Sequence, residues 1–333
     1  MSSSAVVVAR APLRVSLAGG GTDLPSYADR YGGLVVGAAI DRYVGVTVFP
    51  RAFGGVVRVC GDDVDVAAEV AAVRNRYARA ALRRAGVPGN VQVTTWSDAP
   101  SGAGLGGSGA FTVALLHALR HAERPGEYAL AEEASQIEMA DLSRPVGKQD
   151  HYLAAYGGLR VLRVDRARRV RVETLEAPPR VGEYVRERLL LFHTGVVRDA
   201  GRTLAAQAEL TKRGEEQTVR SLHRIRGLAD EMLQIVAAGR VDDIGPAMHE
   251  HWRHKARLSG AVSNGRIDAL YRVAIDSGSD GGKLLGAGGG GFLLLSAKRG
   301  AVADLRAAMR AEALVELPFG MAEAGSRATS WPL

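Results

Sequence analysis

Apolar and polar positions alternate in short runs at the start of the chain. The pattern predicts strands at 6–8 and 13–17, and further strands at 33–40 and 43–49 that are rich in β-branched residues. The loop Ala18-Gly19-Gly20-Gly21-Thr22-Asp23 separates the first two from the next two. The period then lengthens: 70–85 reads as a helix, with Gly86 where a closing glycine belongs. A strand at 91–95 runs into a glycine-rich loop at 97–107, followed by helices at 110–121 and 128–142. Arg144-Pro145-Val146-Gly147 interrupts that pattern before a short helix at 148–156 and a strand at 159–164.

In the second half, strands are expected at 189–192 and 292–296 and helices over 204–239 (with a break), 244–259, 267–277 and 302–313. Ala177-Pro178-Pro179 is the best candidate hinge, so domains are expected at 1–177 and 178–333. The fold class is α+β, mixed in both halves. A chain of 333 residues also exceeds what one hydrophobic core usually supports.

Composition narrows the function. Cys60 is the only cysteine, which excludes an intrachain disulfide and suits a reducing compartment. No apolar run approaches the ~20 residues needed to span a bilayer, and Arg10 and Arg14 interrupt the apolar N-terminal stretch. A cytoplasmic protein with no membrane partner is expected. The net charge of +7 invites a nucleic-acid partner. Yet the arginines are scattered, lysine is confined to Lys148, Lys212, Lys255, Lys283 and Lys298, and no nucleic-acid-binding signature occurs. No nucleic-acid partner is expected. The basic balance suits phosphate-bearing ligands instead.

Two glycine loops carry most of the chemistry. The first, residues 98–110, lies between a strand and a helix, where backbone N–H groups and a helix N-terminus favour an anion. Gly102, Gly104 and Gly107 satisfy G-x-G-x-x-G, but no strand ending in an acid follows about twenty residues on, as a dinucleotide fold requires. A nicotinamide oxidoreductase is disfavoured on that ground. The second loop has five glycines among residues 286–291 and enters a strand. Lys283 is followed by Leu284 rather than Ser or Thr, so it is not a Walker A loop either.

Together with Ala11-Pro12-Leu13-Arg14-Val15-Ser16, these loops resemble the three motifs of the GHMP kinase superfamily. Gly19–Tyr27 and Gly147-Lys148-Gln149-Asp150 are similar to segments of its D-glycero-D-manno-heptose 7-phosphate kinases, as are Thr194-Gly195 with Arg198 and Trp252 with Lys255. The likeness runs from about residue 8 to 295. It implies an N-terminal ribosomal-protein-like α/β domain, a C-terminal ferredoxin-like domain, an active site between them, and ATP and Mg²⁺ as cofactors.

Residue roles follow from that resemblance and from chemistry. Pro100, Gly102, Gly104, Leu105, Gly106, Gly107, Ser108 and Gly109 match the nucleotide-binding motif. Gly107 and Gly109 stand where close relatives often have serine, which removes two hydroxyls. Ser108 and Glu138 match the superfamily's Mg²⁺ ligands; the competing readings are a helix cap and a solvated glutamate. Asp150 is the expected catalytic residue, since an aspartate near the acceptor hydroxyl can take its proton, and Lys148 would hold it ionised or touch a phosphate.

On the substrate side, Arg14 matches the superfamily arginine, and Thr22 and Asp23 suit sugar hydroxyls, with an Asx-turn as the plain alternative. Arg198 and Lys255 could grip a phosphate already on the sugar, and Gly288 and Gly289 are expected on the same side. His249, His251 and His254 spread around a helix without His-Glu-x-x-His spacing, and are expected at the surface or in packing. The expected activity is a sugar 1-kinase acting on a heptose 7-phosphate or similar sugar phosphate, with a homodimer allowed. A kinase for a free hexose such as fucose and a catalytically silent sugar- or nucleotide-binding regulator are the alternatives.

Overall fold

The computed structural model describes residues 5–196 and 200–333. Seven strands of the first sheet come from the first half of the chain: β1 (Ala5–Ala18), β2 (Gly33–Pro50), β3 (Val57–Cys60), β4 (Val64–Ala67), β5 (Val91–Ser97), β6 (Leu159–Val164) and β7 (Val170–Thr174). The four strands expected within residues 6–49 are two long ones. β1 and β2 pair antiparallel from Val7↔Val48 to Ala18↔Val36, with irregularities after Pro12 and Ser16 that bend the ribbon. β2 is long enough to pair with β5 through one half and β6 through the other.

The second sheet holds β8 (Leu189–His193), β9 (Ser279–Leu284), β10 (Phe292–Ala297) and β11 (Val315–Glu316), ordered β11-β8-β10-β9 and wholly antiparallel. In chain order that is 4-1-3-2, the ferredoxin-like arrangement expected for the C-terminal part. The chain then returns. β12 (Arg327–Pro332) pairs antiparallel with β1, from Ala5↔Pro332 to Arg10↔Arg327. Part of the segment expected in a second domain therefore ends on the first sheet, where the free edge of β1 needs a partner.

Helices α1 (Pro25–Tyr31), α2 (Arg76–Arg84), α3 (Gly107–Leu119), α4 (Glu127–Gln136) and α5 (Gln149–Tyr156) accompany the first sheet. α6 (Pro179–Arg188) starts at the prolines expected to form a hinge, because proline suits the first turn of a helix. α7 (Ala200–Lys212), α8 (Glu216–Ala237), α9 (Ile244–Lys255), α10 (Gly265–Asp276) and α11 (Val302–Ala311) complete the chain. Every position of β1 from Ala11 to Ala18 is buried, so both faces of the strand are covered. α3 and α5 pack on β1 and β2, as does α8. The main core runs through Val35 and Ile40 of β2, Leu115 and Leu116 of α3 and Tyr152 and Leu153 of α5. This packing brings the first turns of α3 and α5 side by side beside β1.

Candidate active site

The first glycine loop delivers the start of α3. Its N-cap is Gly106, at φ +77°, a left-handed conformation that a Cβ would strain, and no side chain caps the helix. The N–H groups of the first turn, at Gly107, Ser108 and Gly109, thus point out of the helix without internal partners. Arg14 of β1 ties this loop down: its N–H donates to the carbonyl of Leu105 (3.0 Å), and its Nη1 donates to that of Gly104 (2.6 Å).

The same guanidinium reaches α5. Nε and Nη2 of Arg14 lie 2.8 and 2.6 Å from Oδ1 of Asp150. Among the described residues, Oδ2 takes no hydrogen bond, and Asp150 lines a cavity of about 220 Å³. α3 meets α5 closely here: a Cβ on Gly109 would stand 2.8 Å from that of Asp150 and 3.1 Å from the backbone N of His151.

Glu138 sits across from Ser108, on a widened π turn (Ile137–Asp141) where one uninterrupted helix is expected from the sequence. Such turns often mark functional positions. Its carboxylate is 2% exposed and accepts hydrogen bonds from Tyr77 Oη (3.0 Å) and Ser108 Oγ (3.1 Å), with His151 Nε2 at 3.0 Å. Burial pushes the Glu138 carboxyl up, but bonding to His151, Tyr77 and Ser108 outweighs it and holds the group below the usual range. One carboxylate beside one hydroxyl at a helix N-terminus fits Mg²⁺, which takes few protein ligands and completes its shell with water and phosphate oxygens. Among the described residues, no group of three or more His, Cys, Asp or Glu side chains could hold a metal alone.

The remaining expected residues divide. Asp23 lines the same cavity as Asp150 and accepts bonds from the N–H of Gly21 (3.2 Å), the N–H of Gln149 (3.1 Å) and Gln149 Nε2 (3.2 Å). Burial raises its carboxyl, opposed by the Gln149 N–H and reinforced by the charge of Asp150. Lys255 also lines the cavity, with Nζ donating to the carbonyls of Leu284 (2.7 Å) and Gly286 (2.6 Å). Pro100 and Leu105 line a second cavity of about 770 Å³, which shares Tyr77, Ser101, Gly107 and Ser108 with the first. Gly102, Gly104 and Gly106 line the first.

Three expectations need correction. Lys148 turns away from Asp150: its ammonium donates to Glu132 (2.5 Å) and to the carbonyl of Arg168 (2.8 Å), because the half-buried carboxylate of α4 lies within its reach. Thr22 is fully buried and its hydroxyl is used within the turn, donating to the carbonyl of Gly19 (2.7 Å) and accepting from the N–H of Leu34 (3.1 Å). Gly288 and Gly289 do not line the cavity; the N–H of Gly289 donates to the carbonyl of Val262 (2.7 Å), while Gly286 and Ala287 form the wall. Arg198 lies outside the described residues.

Several side chains escaped the sequence reading. His151 follows Asp150 directly, and Tyr77 and Arg144 line the cavity from elements with no motif of their own. Lys283 opens the third motif, and its buried ammonium lies 3.2 Å from Ser16 Oγ. His251, expected at the surface or in packing, is fully buried in the cavity wall, and among the described residues neither ring nitrogen has a hydrogen-bond partner. His249 and His254 do meet packing partners, in Tyr271 (2.8 Å) and Glu250 (3.0 Å).

A glycine loop feeding a helix N-terminus, with a carboxylate on either side of it and a polar cavity beyond, defines a phosphotransferase site. Residues 70–158 match the model for the GHMP kinases N terminal domain, and residues 228–314 match that for the GHMP kinases C terminal. The D-glycero-alpha-D-manno-heptose 7-phosphate kinase of Campylobacter jejuni is 31% identical over 301 residues, 85% of this chain and 86% of that protein. The bifunctional fucokinase/GDP-fucose pyrophosphorylase of Arabidopsis thaliana is 30% identical over 62% of this chain and 20% of its own length. A solved structure of a D-glycero-D-manno-heptose 1-phosphate kinase from Bacteroides thetaiotaomicron shares the fold, with a TM-score of 0.77, 23% identity and 98% and 99% of the two chains covered. The chain belongs to the GHMP kinase family and is a kinase that acts on a sugar hydroxyl. Among the described residues, no helix is long and apolar enough to cross a membrane.

Proposed function

We propose that the protein transfers the γ-phosphoryl group of ATP to the anomeric hydroxyl of a heptose 7-phosphate or a closely similar sugar phosphate. The observation that carries this reading is Asp150, fixed by Arg14 between the N-terminus of α3 and the smaller cavity. The likeness to the Campylobacter jejuni heptose 7-phosphate kinase over most of both chains supports the acceptor.

In this reading the base and ribose of ATP occupy the larger cavity, beside Trp96 and Pro100, and the phosphates follow the N–H groups of residues 107–109. Ser108 and Glu138 would hold Mg²⁺, which when bound neutralises charge on the transferred phosphoryl group. His151 and Tyr77 orient the Glu138 carboxylate. Arg14 holds Asp150 so that Oδ2 accepts the proton of the sugar hydroxyl as it attacks phosphorus. Asp23 fixes the start of α5 through Gln149 and lines the space for the sugar.

The likeness to the fucokinase keeps one alternative in play, a free hexose acceptor with the same chemistry. ADP release from Mg²⁺-ATP against a panel of sugars and sugar phosphates tests the choice. Turnover on heptose 7-phosphate that is lost in Asp150→Asn supports the reading. Turnover on fucose but not on the phosphorylated heptose replaces the acceptor.

A further inference from the structure

The smaller cavity is lined by two sets of polar groups. Ser108, Glu138 and Asp150 are already assigned to the nucleotide, the cation and the transfer step. The second set is His251 and Lys255 of α9 and Lys283 of β9. These three are 0%, 7% and 1% exposed, so a wall of basic side chains stands deep inside the protein. Burying the polar ends of His251 and Lys283 is costly unless they are hydrogen-bonded.

Two observations point to a ligand. Both ring nitrogens of His251 are buried without a hydrogen-bond partner among the described residues, which a native interior rarely tolerates. Among the described residues, the ammonium of Lys283 meets only neutral oxygens, Ser16 Oγ at 3.2 Å and the Leu17 carbonyl at 3.4 Å. The charged groups facing Lys283 are Arg14 from β1 and, through His251, the Lys255 side of α9. Burial first, and then Arg14, push its ammonium down to about 7. Burial and both lysines push His251 well below its ordinary range. A neutral imidazole can donate from one nitrogen to a phosphomonoester oxygen, and its other nitrogen can accept from the hydroxyl of a monoester that keeps one proton.

We infer that His251 and Lys283 bind the phosphate that the acceptor already carries, so that the cavity selects phosphorylated sugars over free ones. This rests on the kinase reading above and adds the residues that recognise the phosphate end. The nucleotide is the less fitting source of that charge. The residues shared with the larger cavity are Tyr77, Ser101, Gly107 and Ser108, and neither His251 nor Lys283 is among them. Arg14, which grips Asp150, also lies near enough to Lys283 to act on its charge.

Calorimetric titration with heptose 7-phosphate and with the unphosphorylated heptose, without nucleotide, tests the inference on wild type, Lys283→Met and His251→Gln. Each substitution is expected to weaken heptose 7-phosphate binding roughly 10- to 100-fold, as loss of a charge-assisted hydrogen bond does. Binding of the free heptose should change less than about threefold. Repeating the titration at pH 8 in two buffers of different ionisation enthalpy reads proton movement. Wild type should take up protons as the phosphate recharges Lys283, and Lys283→Met should not.

Equal weakening for both ligands, or no heptose 7-phosphate binding by wild type, overturns the inference. So does a raised KM for ATP with an unchanged KM for the acceptor. Tight binding with proton uptake but no ADP release on heptose 7-phosphate would leave this phosphate pocket standing and remove the transfer reading. Circular dichroism of both variants guards against misfolding, and His251→Gln gives a second reading where Lys283→Met folds poorly.

Discussion

Arg14 and Asp150 lie 136 positions apart, yet both short contacts from the guanidinium end on the same carboxylate oxygen, Oδ1. One oxygen is thereby fixed and the other left for chemistry. Asp150→Asn keeps the shape and removes the proton acceptor. Its kcat should fall roughly 10²- to 10⁴-fold, with KM for ATP within a few-fold of wild type. Steady-state ADP release gives both values, and a kcat within tenfold would demote Asp150 to a positioning role.

Lys148 should behave differently. Its ammonium belongs to Glu132 and the Arg168 carbonyl, and the phenol of Tyr152 donates to the same Glu132 oxygen at 2.5 Å. Lys148→Met takes the cation from that half-buried carboxylate and should cost about 1–3 kcal/mol, as loss of a hydrogen bond to a charged group does. Denaturant unfolding should show the loss, and adding Glu132→Gln should restore part of it. A large fall in kcat at unchanged stability would contradict this.

Gly107 and Gly109 make a matched pair. A Cβ at Gly107 meets nothing within 4 Å, whereas one at Gly109 meets Asp150 at 2.8 Å. Gly107→Ser should be tolerated. Gly109→Ser should push α5 off α3, costing about 1–3 kcal/mol as overpacking does and lowering kcat with it. Thermal melts and turnover of the two variants side by side decide the matter.

Lys283 supplies a pH signature of stability. Its pKa is about 7 in the folded protein against 10.5 as its ordinary value. Between those pH values the unfolded chain binds a proton that the folded one does not, so this group destabilises the fold most at the low end. Wild type should therefore gain stability relative to Lys283→Met as pH rises from 7 towards 10. Melting temperatures across that range that run parallel would refute it.

Trp96 tests the nucleotide side. It is half exposed at the larger cavity, with its ring lying over Gly45. If the base of ATP stacks there, Trp96→Ala should raise KM for ATP about tenfold, in the range that losing one aromatic stack commonly costs. The KM for the sugar should stay unchanged.

Much of the framework was legible because the burial pattern is strong where it matters. The strand at 159–164 and the apolar helix α3 follow directly from periodicity. β12 escaped because Arg-Ala-Thr-Ser-Trp-Pro is mostly exposed and carries no alternation to read. α6 escaped because two prolines look like a hinge until the residues after them are seen to wind. At the site, Ser108, Glu138, Asp150 and Arg14 do assemble, since glycine motifs fix their local geometry. Lys148 and His151 could not be read: the helix decides which way each side chain points, and sequence adjacency to Asp150 says nothing about that.

The return of the chain to β1 has a bearing on how the protein is made. The N–H of Gly158 donates to the carbonyl of Ala322, that of Ala322 to Ala39, and that of Ser326 to Ala155, before β12 closes along β1. The strand that carries Arg14 thus waits for residues synthesised some three hundred positions later. At roughly 5–20 residues per second, the ribosome holds β1 with a bare edge for tens of seconds. During translation this half-built sheet is the stretch where a chaperone, or a neighbouring nascent chain, has its opening.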